Sequence, residues 1–393
     1  MLATFALIAA FTPSLPSIPS VPVPGGAGPD AFGVVEFQSE LAALWRGAAC
    51  AGVAPDPADR HCAKLAEVTA AWRDGWYAKA APFLRALVPK DVPANVVYPF
   101  GGADLLTALS VFPAARELTI LALEPAGDPR TFQTLSPAAL KGSLALVRRH
   151  FQFLTRLAFS RTVDLEELGK GFLAGVLIYD LAALGVLGYE PVGLRAFTLG
   201  PGGGRLYFSP RDVAANDAEA KRATTAAGRA KVLAKAFGNV EVTFRKRPTE
   251  AEPNPPLQTF RHLSCDLEDG AMKQDPRVLR YLDHQGMVTV MTKASSYLLW
   301  YNSFVLIRNW VRDHLVWMVS DSTGLSPEIA KAAGLEQTTY GTFDAPLVPS
   351  PDERGKLMAE LWKSQPARPL DFPFGYPSKK DPHLYNLMVT RRP

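Results

Sequence analysis

Residues Asn95 to Gly127 read NVVYPFGGADLLTALSVFPAARELTILALEPAG, and their order decides the fold class. Val96-Val97-Tyr98 is β-branched and aromatic, the composition of a strand. Gly101-Gly102 makes a turn, and Asp104 to Ser110 opens a helix that Phe112-Pro113 stops. Glu117 to Leu123 is a second strand, with Glu124 at its carboxyl end. This is the outline of the first half of a nucleotide-binding α/β unit. Glycines let a ligand approach the backbone, and an acid about 20 residues further on stands where a ribose hydroxyl is held.

Downstream, the pattern alternates strand and helix. Ser136-Pro137 caps a helix that runs to about Phe159. A second helix, about 164–187, is apolar all round in its middle and therefore buried. Asp180 falls inside it, either as a site carboxylate or as half of a structural ion pair. Glu190 to Leu199 is a strand, and Gly200 to Gly204 reads as a hairpin turn before Leu206-Tyr207-Phe208. Residues 212–237 read as one exposed helix, Asn239 to Arg245 and Thr259 to Asp266 as strands, and Pro276 to His284 as a short helix. Cys265 reads as a small buried hydrophobe. Met287 to Lys293 is a strand, Ser295 to His314 a long helix, and Leu315 to Ser320 another strand. Gln337 to Phe343 is expected to lie antiparallel to it, because a short excursion joins them.

Towards the N-terminus, helical spacing of Phe37, Leu41, Leu44 and Trp45, then of Leu65, Val68, Trp72 and Trp76, predicts a helical hairpin over 30–91. Cys50 and Cys62 flank the loop between its helices, and a disulfide there would staple it. Residues 1–29 join an apolar run to a proline-rich spacer, as in a secretory leader. Export to the periplasm or medium is therefore expected, with no stable membrane anchor. The α/β domain covers 92–345. Residues 346–393 form a proline-rich tail with one helix, a last strand from Asn386 to Thr390, and an aromatic segment, Phe372 to Tyr376, suited to a lid.

The chain has 393 residues, 48% hydrophobic and 20% charged, which is ordinary globular composition. A net charge of +4 is too small to argue for nucleic acid. The six histidines show no metal spacing, no Gly-x-Ser-x-Gly elbow occurs, and no phosphate P-loop is present.

Strand, glycine turn, helix, strand and acid open the domain, and strand, helix, strand and a returning strand close it. Over about 95–345 this order resembles the Rossmann-like fold of the S-adenosylmethionine-dependent methyltransferases, a mostly parallel sheet finished by a C-terminal antiparallel hairpin. The resemblance rests on Gly101 and Gly102 for the glycine turn and on Glu124 for the ribose acid. It implies S-adenosylmethionine as cofactor. The stretches YPFGGADLL, LALEPAG, TKASSYLL and SDSTGLS also resemble an uncharacterised family of secreted bacterial proteins.

Ligands of open α/β sheets sit at the carboxyl ends of the strands. That edge is expected to collect Tyr98, Gly101, Gly102, Asp104, Glu124, Lys293, Ser296, Tyr297, Asp321 and Ser322. Each has a plainer role open to it: Asp104 and Ser295 as helix caps, Glu124 as a solvated strand end, Lys293 as the structural partner of Asp321. The functional expectation is an exported protein that binds a small polar ligand or a protein partner at this cleft, with or without catalysis. The alternative is a divergent methyltransferase, or another transferase or hydrolase, using the same cleft; S-adenosylmethionine itself is not expected outside the cytoplasm.

Overall fold

The computed structural model describes residues 33–50, 60–157, 175–346, 353–379, 381 and 383–393. The expected leader, most of the Cys50–Cys62 loop and the first part of the apolar helix at 164–187 lie outside the described residues.

Ten strands form one mixed sheet. They are β1 (Asn95–Pro99), β2 (Glu117–Ala122), β3 (Tyr189–Leu199), β4 (Arg205–Tyr207), β5 (Asn239–Lys246), β6 (Gln258–Ser264), β7 (Val288–Thr292), β8 (Leu315–Ser320), β9 (Glu336–Gly341) and β10 (Asn386–Arg391). Their order is β4-β3-β5-β6-β2-β1-β7-β8-β10-β9. The block β6-β2-β1-β7-β8 is parallel, and antiparallel strands flank it on both sides. A parallel block must be covered on both faces, and the alternation of side chains divides the core accordingly. Val96, Tyr98, Leu118 and Ile120 point into one layer, with the helices Gln38–Ala49, Leu105–Val111 and Leu177–Val186. Val97, Leu121 and Val290 point into the other, with Tyr281, Leu282, Ile307 and Trp310 from the helices Arg277–Asp283 and Val305–His314.

The expected antiparallel pairing of the 337–343 strand with the 315–320 strand does not occur. β10 lies between β8 and β9 and is antiparallel to both, with Met388 opposite Ser320 on one side and Thr339 on the other. The physical reason lies in burial. Asn-Leu-Met-Val-Thr of β10 is buried at five successive positions, whereas β9 begins Glu-Gln-Thr-Thr and tolerates a sheet edge. The last strand of the expected tail is thus an inner strand of the sheet.

Other boundaries also move. The long helix expected from Ser295 to His314 is a 3-10 turn, Ser295–Trp300, followed after a break by Val305–His314. The 212–237 stretch is two helices, Pro210–Arg222 and Ala226–Ala236, each capped by a hydroxyl side chain. Cys50 and Cys62 form the expected disulfide, with Cα atoms 5.6 Å apart. It joins Gln38–Ala49 to Arg60–Trp72, and each helix finds its main packing on the α/β body: the first on Leu177–Val186 and β3, the second on Pro137–Leu157. Beside the disulfide, His61 donates from Nε2 to the Ala48 carbonyl at 3.1 Å and accepts at Nδ1 from Arg148 at 2.7 Å. Both ring nitrogens are thereby occupied. Among the described residues no helix is long and apolar enough to cross a membrane, and no cluster of metal-ligating side chains occurs.

Candidate functional site

The chain leaves β1 through the helix Leu105–Val111 on one face, while β7 is reached through Arg277–Asp283 on the other. Connections diverge to opposite faces at the β1–β7 boundary, and such a divergence opens a crevice beyond the strand ends. A cleft of about 100 Å³ lies there, walled by the ends of β1, β2, β6 and β7.

The β1 wall is the glycine turn. The Gly101 amide donates to the Leu121 carbonyl at 3.0 Å, which ties the turn to β2. A Cβ on Gly101 would stand 2.8 Å from Ile120 and 2.9 Å from the Tyr98 ring, so only glycine fits. Gly102 is left-handed, with φ 55°, and so is Phe100, with φ 60°. On the β7 wall Ala294 is also left-handed, with φ 55°. Two non-glycine residues in this strained region therefore line the cleft, and strain of this kind concentrates at ligand clamps. Phe100 meets Phe304 edge-to-face at 5.9 Å, and with Leu298 they form the apolar side of the cleft.

Beneath the turn sits a buried polar network. Asp104 caps its helix, accepting from the Thr107 amide at 3.3 Å through Oδ1. Its Oδ2 accepts from the Tyr98 hydroxyl at 3.0 Å and pairs with Lys293 Nζ at 2.8 Å. Nζ also donates to Thr107 Oγ1 at 2.9 Å and lies 5.6 Å from the Phe374 ring centre. Burial pulls the Lys293 pKa down against the opposing pull of Asp104 and Asp321. Burial, reinforced by Asp104, pushes the Tyr98 phenol well up. Asp180 is fully buried in the same region, and no side chain among the described residues hydrogen-bonds its carboxyl oxygens. Burial pushes its pKa well above the carboxylate range; the Leu105 backbone opposes this and Asp104 adds to it. Asp180 thus belongs to the buried carboxyl set around Lys293, without the ion-pair partner that the sequence suggested among the described residues.

Lys293 pairs with Asp104 and not with Asp321, a correction to the expected pair. Asp321 is occupied by other donors. Its Oδ2 accepts from the Ala294 amide at 2.9 Å and the Tyr376 amide at 2.7 Å, and its Oδ1 accepts from the Thr323 amide at 2.9 Å and from the Thr323 hydroxyl. Burial raises its pKa while these hydrogen bonds oppose the rise. The Ser322 amide donates to Asn386 Oδ1 at 2.8 Å, and the buried Ser296 hydroxyl meets Thr323 Oγ1 at 2.5 Å. Tyr297 packs against the Tyr301 and Tyr376 rings.

Of the ten expected cleft residues, Tyr98, Gly101, Gly102, Asp104, Glu124 and Lys293 line it. Ser296, Tyr297, Asp321 and Ser322 do not; behind it Ser296 meets Thr323 at the β8 end, and Tyr297, Asp321 and Ser322 contact Tyr376 or Asn386 of the C-terminal segment. Phe372 to Tyr376 is no lid. Phe372 and Phe374 are buried in the core, and Trp76 Nε1 donates to the Pro373 carbonyl at 2.7 Å. The apolar rings remove themselves from water, so they plug the rear of the network instead of covering its mouth. Ser295 lines the cleft and makes no cap.

Asp266, Cys265 and His262 complete the β2–β6 side. Cys265 is half-buried at the cleft and not enclosed in a strand as expected; burial and Asp266 push its thiol up, away from thiolate reactivity. His262 Nε2 donates to the Glu124 carbonyl at 2.7 Å, holding the backbone of the acidic residue, and its Nδ1 has no partner among the described residues. Its place in an alternating strand gave no sign of this contact. Burial lowers its pKa to about 4. Its unfolded value is about 6.5, so between about pH 6.5 and 4 the unfolded chain binds the proton that the folded chain refuses. Stability attributable to neutral His262 is complete above that window and lost as pH falls through it, by about 3 kcal/mol. Denaturant unfolding from pH 7 to pH 4 should show this acid slope, and His262→Leu should flatten it.

The chain matches no protein-family model, no curated protein and no solved structure.

Proposed function

We propose that the strand-end cleft binds a small polar ligand bearing hydroxyl or amino groups, in an exported protein with a Rossmann-like α/β domain. Four separated chain segments close on one cleft where the strand order reverses, and this convergence carries the assignment. Lys293 neutralises Asp104, and Glu124 and Asp266 also stand on the rim. They suit hydroxyl or ammonium donors, while Phe100, Leu298 and Phe304 receive an apolar ring. The Cys50–Cys62 disulfide is compatible with an oxidising compartment and supports export.

A second reading draws on the sheet. The order β6-β2-β1-β7-β8, with β10 slipped antiparallel between β8 and β9, supports the resemblance to S-adenosylmethionine-dependent methyltransferases. On that reading Glu124 holds the ribose of the cofactor. Adenosine and S-adenosylmethionine are the probes that test both readings by titration calorimetry. Saturable one-to-one binding, weakened about tenfold or more by Glu124→Ala through loss of a charge-assisted hydrogen bond, is expected. Binding of S-adenosylmethionine well above that of adenosine would select the methyltransferase. No heat from either at millimolar concentration would exclude a nucleoside-bearing ligand.

A further inference from the structure

The opposite edge of the sheet holds a larger groove, about 690 Å³, at the amino ends of β1, β2 and β6. Its walls are built. The β3–β4 turn, whose Gly203 has φ 83°, leans on the helix Arg277–Asp283: a Cβ there would stand 2.5 Å from the Tyr281 amide nitrogen. Arg280 closes the contact by donating to the Pro201 carbonyl. The Tyr281 hydroxyl reaches Thr119 Oγ1 at 3.1 Å and fixes the helix to the sheet.

The charge of this groove is unbalanced. Glu117 accepts from the buried Arg261 at 2.5 Å. Glu241 accepts from Arg261 Nε at 2.7 Å, from the Tyr207 hydroxyl at 2.9 Å and from Arg195. Both carboxylates are therefore already engaged. Arg205 donates from Nε to the Tyr207 hydroxyl at 3.0 Å and lies 3.7 Å from Glu241, which leaves its two terminal nitrogens for the groove, and the exposed side chain of Arg116 has no hydrogen-bond or salt-bridge partner among the described residues. Four arginines against two carboxylates leave two positive charges over, and Arg116 and Arg205 both line the groove. Within it Asn95 donates to Gln285 Oε1 at 3.1 Å, but its own buried Oδ1 has no partner among the described residues. Leu257, 60% exposed, adds an apolar edge.

We infer that this groove is a second binding site, for a small dianionic molecule that also carries hydroxyl groups, of the class of a sugar phosphate. The Arg116 and Arg205 guanidinium groups take the anion by paired donors, and the polar side chains of Asn95, His284 and Gln285 on the groove wall receive the hydroxyl groups. The site is independent of the strand-end cleft and lies at the other end of the same strands.

Ribose 5-phosphate, ribose and inorganic phosphate, titrated calorimetrically at low salt, test it. Ribose 5-phosphate is expected to bind one-to-one and more tightly than either fragment. Arg116→Gln, an exposed change, should weaken it about tenfold, while Glu124→Ala should leave it unaltered. Absence of saturable binding, equal affinity for ribose 5-phosphate and inorganic phosphate, or an unchanged affinity in Arg116→Gln would each overturn the assignment. A loss in Glu124→Ala would move the anion to the other cleft and overturn it as well. Circular dichroism of both variants separates lost binding from lost folding.

Discussion

Lys293→Met lowers the unfolding free energy by about 3–5 kcal/mol at pH 7, the cost of leaving a buried charge without its partner. The lysine is 2% exposed and stands 2.8 Å from Asp104, with Asp180 and Asp321 in the same buried region. Methionine fills much of the same volume, so packing changes little and the electrostatic loss dominates. Asp104 then keeps only Tyr98 and the Thr107 amide as donors. A further outcome follows from the same physics. The double variant Asp104→Asn/Lys293→Met should recover part of the loss, since no unpaired charge remains. Guanidinium unfolding of the single and double variants measures both. A single variant as stable as the wild type would show that the pair contributes nothing.

Asp321→Ala should cost a similar amount, about 3–5 kcal/mol, by a different route. One carboxylate satisfies the amides of Ala294, Thr323 and Tyr376, and its removal takes this acceptor from the buried Ala294 and Thr323 amides and from the part-buried Tyr376 amide. These amides belong to the end of β7, the end of β8 and the C-terminal segment, so the residue clamps three distant parts of the chain. Gly375 records the closeness of the clamp: a Cβ there would stand 2.0 Å from Asp321 Oδ2. Ala294, with its left-handed backbone, loses the bond that holds its conformation. Hydrogen exchange should therefore accelerate at Ala294 and Tyr376 by far more than at the centre of β2. Asp321→Asn, which keeps an acceptor oxygen, should lose less. Equal protection at Tyr376 in wild type and Asp321→Ala would remove the clamp from consideration.

The chain announces much of the parallel block. Val96-Val97-Tyr98, the Gly101-Gly102 turn and the Asp104 cap are local features, set by side-chain branching, by the space a Cβ needs and by the reach of a short carboxylate. Strand and helix alternation places Tyr98, Glu124 and Lys293 at one edge, because parallel strands share the direction in which they end. Sequence distance misleads where pairing is decided by burial. β9 follows β8 closely in the chain, yet β10 takes the place beside β8 because it has more apolar surface to remove from water. The partner of Lys293 is not legible in the chain either. Asp104 and Asp321 are both acids at strand ends, and only the positions of the Ala294, Thr323 and Tyr376 amides show which of them is free to meet an ammonium group.

The sequence by itself determined the α/β class, the first strand–turn–helix with its capping aspartate, the Cys50–Cys62 bridge and the edge of the sheet where a ligand is sought. These follow from period, turn chemistry and spacing over short stretches. The tertiary structure alone decided that β10 is an inner strand, that Phe372 to Tyr376 plugs the core, that Asp104 and not Asp321 holds Lys293, and that a basic groove lies at the far edge. Each of these depends on groups hundreds of residues apart competing for the same neighbours, and local pattern carries no information about which competitor wins.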